Sequence, residues 1–199
     1  MIVPRISLAI CGLMLAASAW SGDSDKGLAA YNSTEYDKAL AIWQPLAESG
    51  DAESQYGLGM MYGNGFGVDM DDALAIKWYG LAAEQGHAGA QCNLAVMHQN
   101  GWGVPVDEDE AVHLFTEAAE QGVAEAMVAL GRHFAMDFSD AYDPVQAYKW
   151  FSLAALLEDM DASVKRDYIA GRMTADEVAA GDAMVELWTD SHTGLSAKQ

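Results

Sequence analysis

Asp51 to Gly86 reads DAESQYGLGMMYGNGFGVDMDDALAIKWYGLAAEQG, and His87 to Gly122 reads HAGAQCNLAVMHQNGWGVPVDEDEAVHLFTEAAEQG. Set one above the other without a gap, the two segments are identical at 15 of 36 positions. The following segment, Val123 to Glu158, keeps the skeleton at Ala124, Ala126, Leu130, Gly131, Asp143, Ala147, Trp150, Phe151, Ala154 and Ala155. Self-similarity at a fixed period of this length is the mark of a repeat architecture.

Inside each segment, small and apolar residues recur at helical spacing: Ala52, Leu58, Gly59 and Tyr62, then Ala75, Trp78, Tyr79, Ala82 and Ala83. Each unit therefore reads as two helices. Asp71, Asp107 and Asp143 stand where the second helix should start, and Asp143 precedes Pro144, the pairing of an N-cap with a proline at the first helical position. Gly86 and Gly122 stand where that helix should stop. Leu58, Leu94 and Leu130, with Gly59 and Gly131, form the packing face of the first helices. Helix pairs of this kind cannot bury their apolar faces alone, so they stack. The expected fold is all-α, an α-solenoid of stacked antiparallel helix pairs.

The loop between the helices, GNGFGVD in one copy and NGWGVPVD in the next, is rich enough in glycine to raise the question of a phosphate cradle. A nucleotide-binding loop follows a strand and opens a helix, often with a lysine nearby. Here the residues before it, GLGMMY, read as a helix end, and no Gly-Lys-Ser/Thr follows. Gly65, Gly67, Gly101 and Gly103 are instead expected to supply backbone conformations that side chains resist, reversing the chain between two helices.

These residues resemble the Sel1-like repeat family, relatives of the tetratricopeptide repeats with a longer loop. The family pattern, A-x-x-x-L-G-x-x-Y, then G-x-G-V-x-x-D, then A-x-x-W-Y-x-x-A-A-x-Q-G, runs from Ser54 through Gly86, departing only at Ser54, where later copies carry Ala90 and Ala126. The third copy departs further, with Asp137 and Ser139 in place of the loop glycines. Upstream, Ala39, Trp43, Ala47 and Gly50 fall one period before Ala75, Tyr79, Ala83 and Gly86. Downstream, Thr174 and Glu177 have capping-box spacing at the head of a closing helix. The expected organisation is a signal peptide over 1–19, a degenerate repeat over 20–50, repeats over 51–86 and 87–122, a divergent repeat over 123–158, and capping helices with a tail over 159–199. The resemblance implies a non-catalytic scaffold for protein or peptide partners, often in the bacterial envelope or in secretion.

Arg5, the apolar run ISLAICGLMLAASA and Ala17-Ser18-Ala19 together read as a secretory leader cut after Ala19. A membrane anchor and a lipoprotein modified at Cys11 are the alternatives. The expected location is export to the periplasm, with secretion from the cell as the other outcome and no stable membrane insertion of the mature chain. With Arg5 removed, 9 basic residues face 30 acidic ones. Such a surface repels nucleic-acid backbones and anionic lipid, so no nucleic-acid partner is expected. Cys92 alone remains after leader removal, which predicts folding without an intramolecular disulfide.

No catalytic, cofactor-binding or metal-binding set is expected. The histidines His87, His98, His113, His133 and His192 lack metal-ligand spacing. His98 and His133 fall on or beside the position of Tyr62 and read as packing or hydrogen-bonding groups. The acidic run Asp107 to Glu110 reads as a charged helix start, lacking the spacing of a calcium loop. The alternative to a scaffold is an envelope hydrolase or peptidoglycan-acting enzyme, which would need histidine, acid and nucleophile converging from several repeats. For a scaffold, residues of the first helices that point away from the Leu58/Gly59/Tyr62 face line the concave side: Tyr56 and Met60, Cys92 and Val96, Val128 and Arg132. The competing reading is that these side chains seal adjacent helices.

Overall fold

The computed structural model describes residues 22–136, 141–157 and 159–192. Among them there are helices and no strands. They fall into two compact units, one ending at Val123 and the other beginning at Ala124.

The first unit contains α1 (Ser24–Asn32), α2 (Tyr36–Glu48), α3 (Ala52–Asn64), α4 (Asp72–Ala83), α5 (Ala88–Asn100) and α6 (Glu108–Glu120). Helices pair in succession, α1 with α2, α3 with α4 and α5 with α6, and the pairs stack through α2 against α3 and α4 against α5. The second unit contains α7 (Ala124–Phe134), α8 (Pro144–Leu156), α9 (Met160–Ala170) and α10 (Ala175–Ser191). There α8 is the hub, packed by α7, α9 and α10. The fold class is the α-solenoid type of stacked helix pairs expected from the period.

The helix boundaries follow from local chemistry. Asp71, Asp107 and Asp143 are N-caps of α4, α6 and α8, each accepting backbone N–H groups of the first turn with its carboxylate. Asp71 and Asp107 each satisfy one orphan donor at the helix start and Asp143 satisfies two. Gly65 and Gly101, at φ +70° and +68°, end α3 and α5 in the left-handed region. Gly67 and Gly103 share that conformation, and a Cβ on either would strike the preceding helix pair: Tyr36 Cβ at 2.4 Å from position 67, Asp72 Cβ at 2.7 Å from position 103. The loop glycines thus do two things. One reverses the chain, and the other lets the loop backbone lie directly against the second helix of the pair before it. That occupancy is incompatible with an open phosphate cradle. Asp137 and Ser139 of the divergent loop lie outside the described residues.

Between helices, an aromatic ring of a second helix lies on a glycine of a neighbouring helix. Trp43 is held between Gly27 and Gly57, with its indole N–H donating to the Ser24 carbonyl at 3.1 Å. Tyr79 lies on Gly59 and Phe151 on Gly131. Trp43, Tyr79, Phe115 and Phe151 are spaced by the period and all are buried. At α10 the same device recurs, with Tyr148 against Gly181 and its hydroxyl donating to the Asp182 carboxylate at 2.8 Å. The capping box at Thr174 and Glu177 forms as its spacing predicted.

A Cβ at Gly59 would sit 2.4 Å from the Tyr79 ring, so the contact leaves no room for a side chain. Gly59→Val should lower stability by roughly 1 to 3 kcal/mol through overpacking, read as the midpoint of urea unfolding followed by circular dichroism. Helix propensity alone favours valine over glycine, so an unchanged or raised midpoint would show that the ring is not held as described.

Candidate partner-binding surface

In the first unit, Tyr56 and Met60 on α3 are only 6% and 7% exposed, and Cys92 on α5 is wholly buried. Val96 is half-buried. Tyr56 is covered by the imidazole of His87, stacked at 4.4 Å between centroids. Three of the four side chains therefore close the join between successive pairs rather than line open space. In the full-length chain Cys92 is disulfide-bonded, whereas the expectation of an unpaired cysteine concerns the chain after leader removal.

In the second unit, Val128 is half-buried against the cluster of Ala147, Phe151 and Ile169. Arg132, one turn further along α7, is exposed and makes no ion pair or hydrogen bond to another described residue. The same register position that is sealed at Met60 is an accessible cation at Arg132.

The seal in the first unit contains polar chemistry that periodicity did not single out. Gln55 Nε2 donates to the Ala47 carbonyl at 3.1 Å, and its own Oε1 accepts from Gln85 Nε2 at 2.7 Å. One period later, Gln91 Nε2 donates to Glu117 Oε2 at 2.9 Å and to the Ala83 carbonyl at 3.5 Å, while Gln91 Oε1 accepts from Gln121 at 2.7 Å. Both inner glutamines are buried, and each reaches back to a carbonyl at the end of the preceding second helix. Each of these carbonyls also accepts a turn N–H, from Gly50 to Ala47 at 3.1 Å and from Gly86 to Ala83 at 2.8 Å, so the glutamine adds a second hydrogen bond at a helix end whose carbonyls lack the regular helical donor. A signal was present: both glutamine pairs are among the identities of the two aligned segments, and the third copy has Met127 and Leu157 there.

His87 has a defined tautomer. Its Nδ1 accepts the Ala90 N–H at 3.1 Å as the N-cap of α5, so the proton sits on Nε2, which faces Glu53 Oε2 at 3.2 Å. His98 is half-buried with a buried Nδ1, and His133 lies edge-on to Phe134 at 5.1 Å. No three His, Cys, Asp or Glu side chains among the described residues converge at metal-binding spacing. Nor is any described helix long and apolar enough to cross a membrane.

Stacked helix pairs with a sealed inner face and polar caps define a helical-repeat protein of the α-solenoid class. The Sel1 repeat family matches residues 52–87, 88–123 and 124–159. The chain belongs to that family, whose repeats generally mediate protein–protein interaction and are typically non-catalytic. Among solved structures, it is similar to a Sel1 repeat protein from Oxalobacter formigenes, with a TM-score of 0.67 and 29% identity over 72% of this chain and 59% of that one. It is also similar to c5321, a protective antigen present in uropathogenic Escherichia coli strains displaying an SLR fold, with a TM-score of 0.53 and 25% identity over 84% of this chain and 45% of that one. The chain thus spans less than two thirds of either neighbour. Comparison with curated protein sequences finds no match.

Two outcomes follow from these contacts. Gln91→Ala, which removes the bonds of Gln91 to the Ala83 carbonyl, Glu117 and Gln121, should cost about 0.5 to 1.5 kcal/mol in urea unfolding; a loss no larger than that of an exposed alanine substitution would mean that the ladder contributes nothing. In the second unit, burial and then the nearby Asp159 charge raise the Glu125 carboxyl above its ordinary value, against a lowering backbone hydrogen bond. A raised folded pKa contributes stability below the unfolded value, and that contribution is lost as pH rises through the folded one. Glu125→Gln should therefore raise the unfolding free energy at pH 7 by less than about 1 kcal/mol in a partly solvated site, read as a higher melting temperature, with the gain vanishing below the ordinary glutamate range. A gain that grows on acidification would reverse the sign of this argument.

Proposed function

We propose that this protein is an exported, non-catalytic scaffold of the bacterial envelope that holds a protein or peptide partner, with the periplasm as its compartment. Membership of a partner-binding repeat family supports the binding role. The leader-like segment before Trp20 supports export, although it lies outside the described residues. The observation that carries the site is Arg132: an exposed guanidinium with no described partner, beside the half-buried Val128, in a chain of net charge −20. A lone cation in such a field is a specific anchor for a carboxylate, which guanidinium can grip with two parallel hydrogen bonds. Tyr56, Met60 and Cys92 act in this reading as the sealed support of the repeats, with Val96 and Val128 offering apolar surface.

A pull-down from envelope extract read by mass spectrometry should return a reproducible partner. Arg132→Ala should then weaken that partner by roughly 1 to 3 kcal/mol with helicity unchanged. Equal binding by parent and variant would move the interface to another face. Intact mass decides export: the envelope protein should begin at Trp20, and retention of residues 1–19 or a diacylglycerol on Cys11 would overturn soluble export.

A further inference from the structure

Eight large apolar side chains of the second unit are exposed: Met136, Tyr142, Leu156, Met160, Val164, Tyr168, Met184 and Leu187. Three of these form a line on one helix. Met160, Val164 and Tyr168 stand at i, i+4 and i+8 of α9 and are 80%, 68% and 63% exposed. At about 100° per residue they share one stripe, directly opposite Ala162 and Ile169, which are buried.

Register explains why this face is bare. Residues of α9 stand one period after those of α7, with Ala162 buried where Ala126 is buried. The Leu130/Gly131 packing pair, however, becomes Arg166/Asp167, a bonded ion pair. Those charges close the face on which a further helix would pack. The stripe, by contrast, keeps apolar residues at the positions of Ala124, Val128 and Arg132.

We infer that this stripe is a self-association surface, on which α9 of a second copy packs antiparallel about a two-fold axis passing near Val164. The pattern is self-complementary, as an isologous contact requires. Val164 meets its own equivalent at the axis, and Met160 meets Tyr168 of the second copy on either side. The ring of Tyr168 is steadied by Arg172, whose Nη1 donates to the phenol oxygen at 2.9 Å. On one flank lie Asp161 and Lys165, already bonded to each other within the helix. Antiparallel packing brings Asp161 of each copy towards Lys165 of the other, and these two opposite-charge pairs outnumber the one like-charge contact between the Lys165 side chains near the axis.

Charge also selects this helix over others. From Met160 to Arg172 there are three cations, Lys165, Arg166 and Arg172, against two acids, Asp161 and Asp167. The neighbouring α10 carries Asp176, Glu177, Asp182, Glu186 and Asp190 with no Lys or Arg. In a chain of net charge −20, two copies meet with least repulsion where the local balance is positive. The stripe alone is small, so the dimer is weak and concentration-dependent.

Sedimentation equilibrium of the protein should show a reversible rise from monomer to dimer mass with concentration. Val164→Cys, placed at the axis, should cross-link to its own equivalent under mild oxidation at least tenfold faster than Val106→Cys, a comparably exposed position on the first unit. Asp161→Lys should weaken the dimer about tenfold, and adding Lys165→Asp should restore it; circular dichroism checks that these surface variants fold. A monomer at every concentration, open-ended polymers, equal cross-linking at 164 and 106, or no recovery in the double swap would each overturn the inference.

Discussion

The structure depends on one contact, an aromatic ring packed against a helix where glycine leaves no side chain in the way. Trp43 on Gly57, Tyr79 on Gly59 and Phe151 on Gly131 bring neighbouring helices closer than two side-chain-bearing surfaces permit. A buried ring contributes large apolar area with few rotatable bonds to freeze. The glycine beneath it carries an entropic cost in a helix, roughly 1 kcal/mol relative to alanine, which burial of the ring offsets. At the position equivalent to Gly59 and Gly131 the intervening repeat carries Ala95, so the glycine is not kept in every copy.

Close approach has a second consequence, because it buries helix ends that would otherwise be solvated. The carbonyls of Ala47 and Ala83 are met by Gln55 and Gln91, which are in turn held by Gln85, Gln121 and Glu117. A glutamine amide can donate and accept at once, which is why this residue type serves at a buried junction where a carboxylate or an aliphatic side chain would not. Met127 and Leu157 replace the pair in the third copy, so the second unit carries no such ladder at those positions. The repeats are alike in their apolar skeleton and unlike in their polar joints.

That difference governs the surface available for recognition. The same two register positions differ between repeats: Tyr56 and Met60 are sealed, whereas Arg132, Val164 and Tyr168 are open. Repeat proteins gain function by varying residues that the scaffold does not need. Positions whose side chains seal a join cannot vary freely, whereas α7 and α9 carry a cation and an apolar stripe that contribute little to their own packing.

Much of the architecture was legible in the residues. The period, the Asp N-caps at 71, 107 and 143, the left-handed glycines at 65, 67, 101 and 103, and the capping box at Thr174 are set by local backbone and hydrogen-bonding chemistry, which acts over three to five residues. Helical spacing also placed Tyr56, Met60, Cys92, Val96, Val128 and Arg132 on one face. It could not tell which of them would be covered, because covering groups come from other helices: His87 over Tyr56, and the Ala147, Phe151 and Ile169 cluster beside Val128. The glutamine ladder was hidden for the same reason, since its bonds join residues 8 and about 30 positions apart. Local chemistry, then, is written in the order of residues. Exposure is a property of what packs on top, and only the tertiary structure decided it.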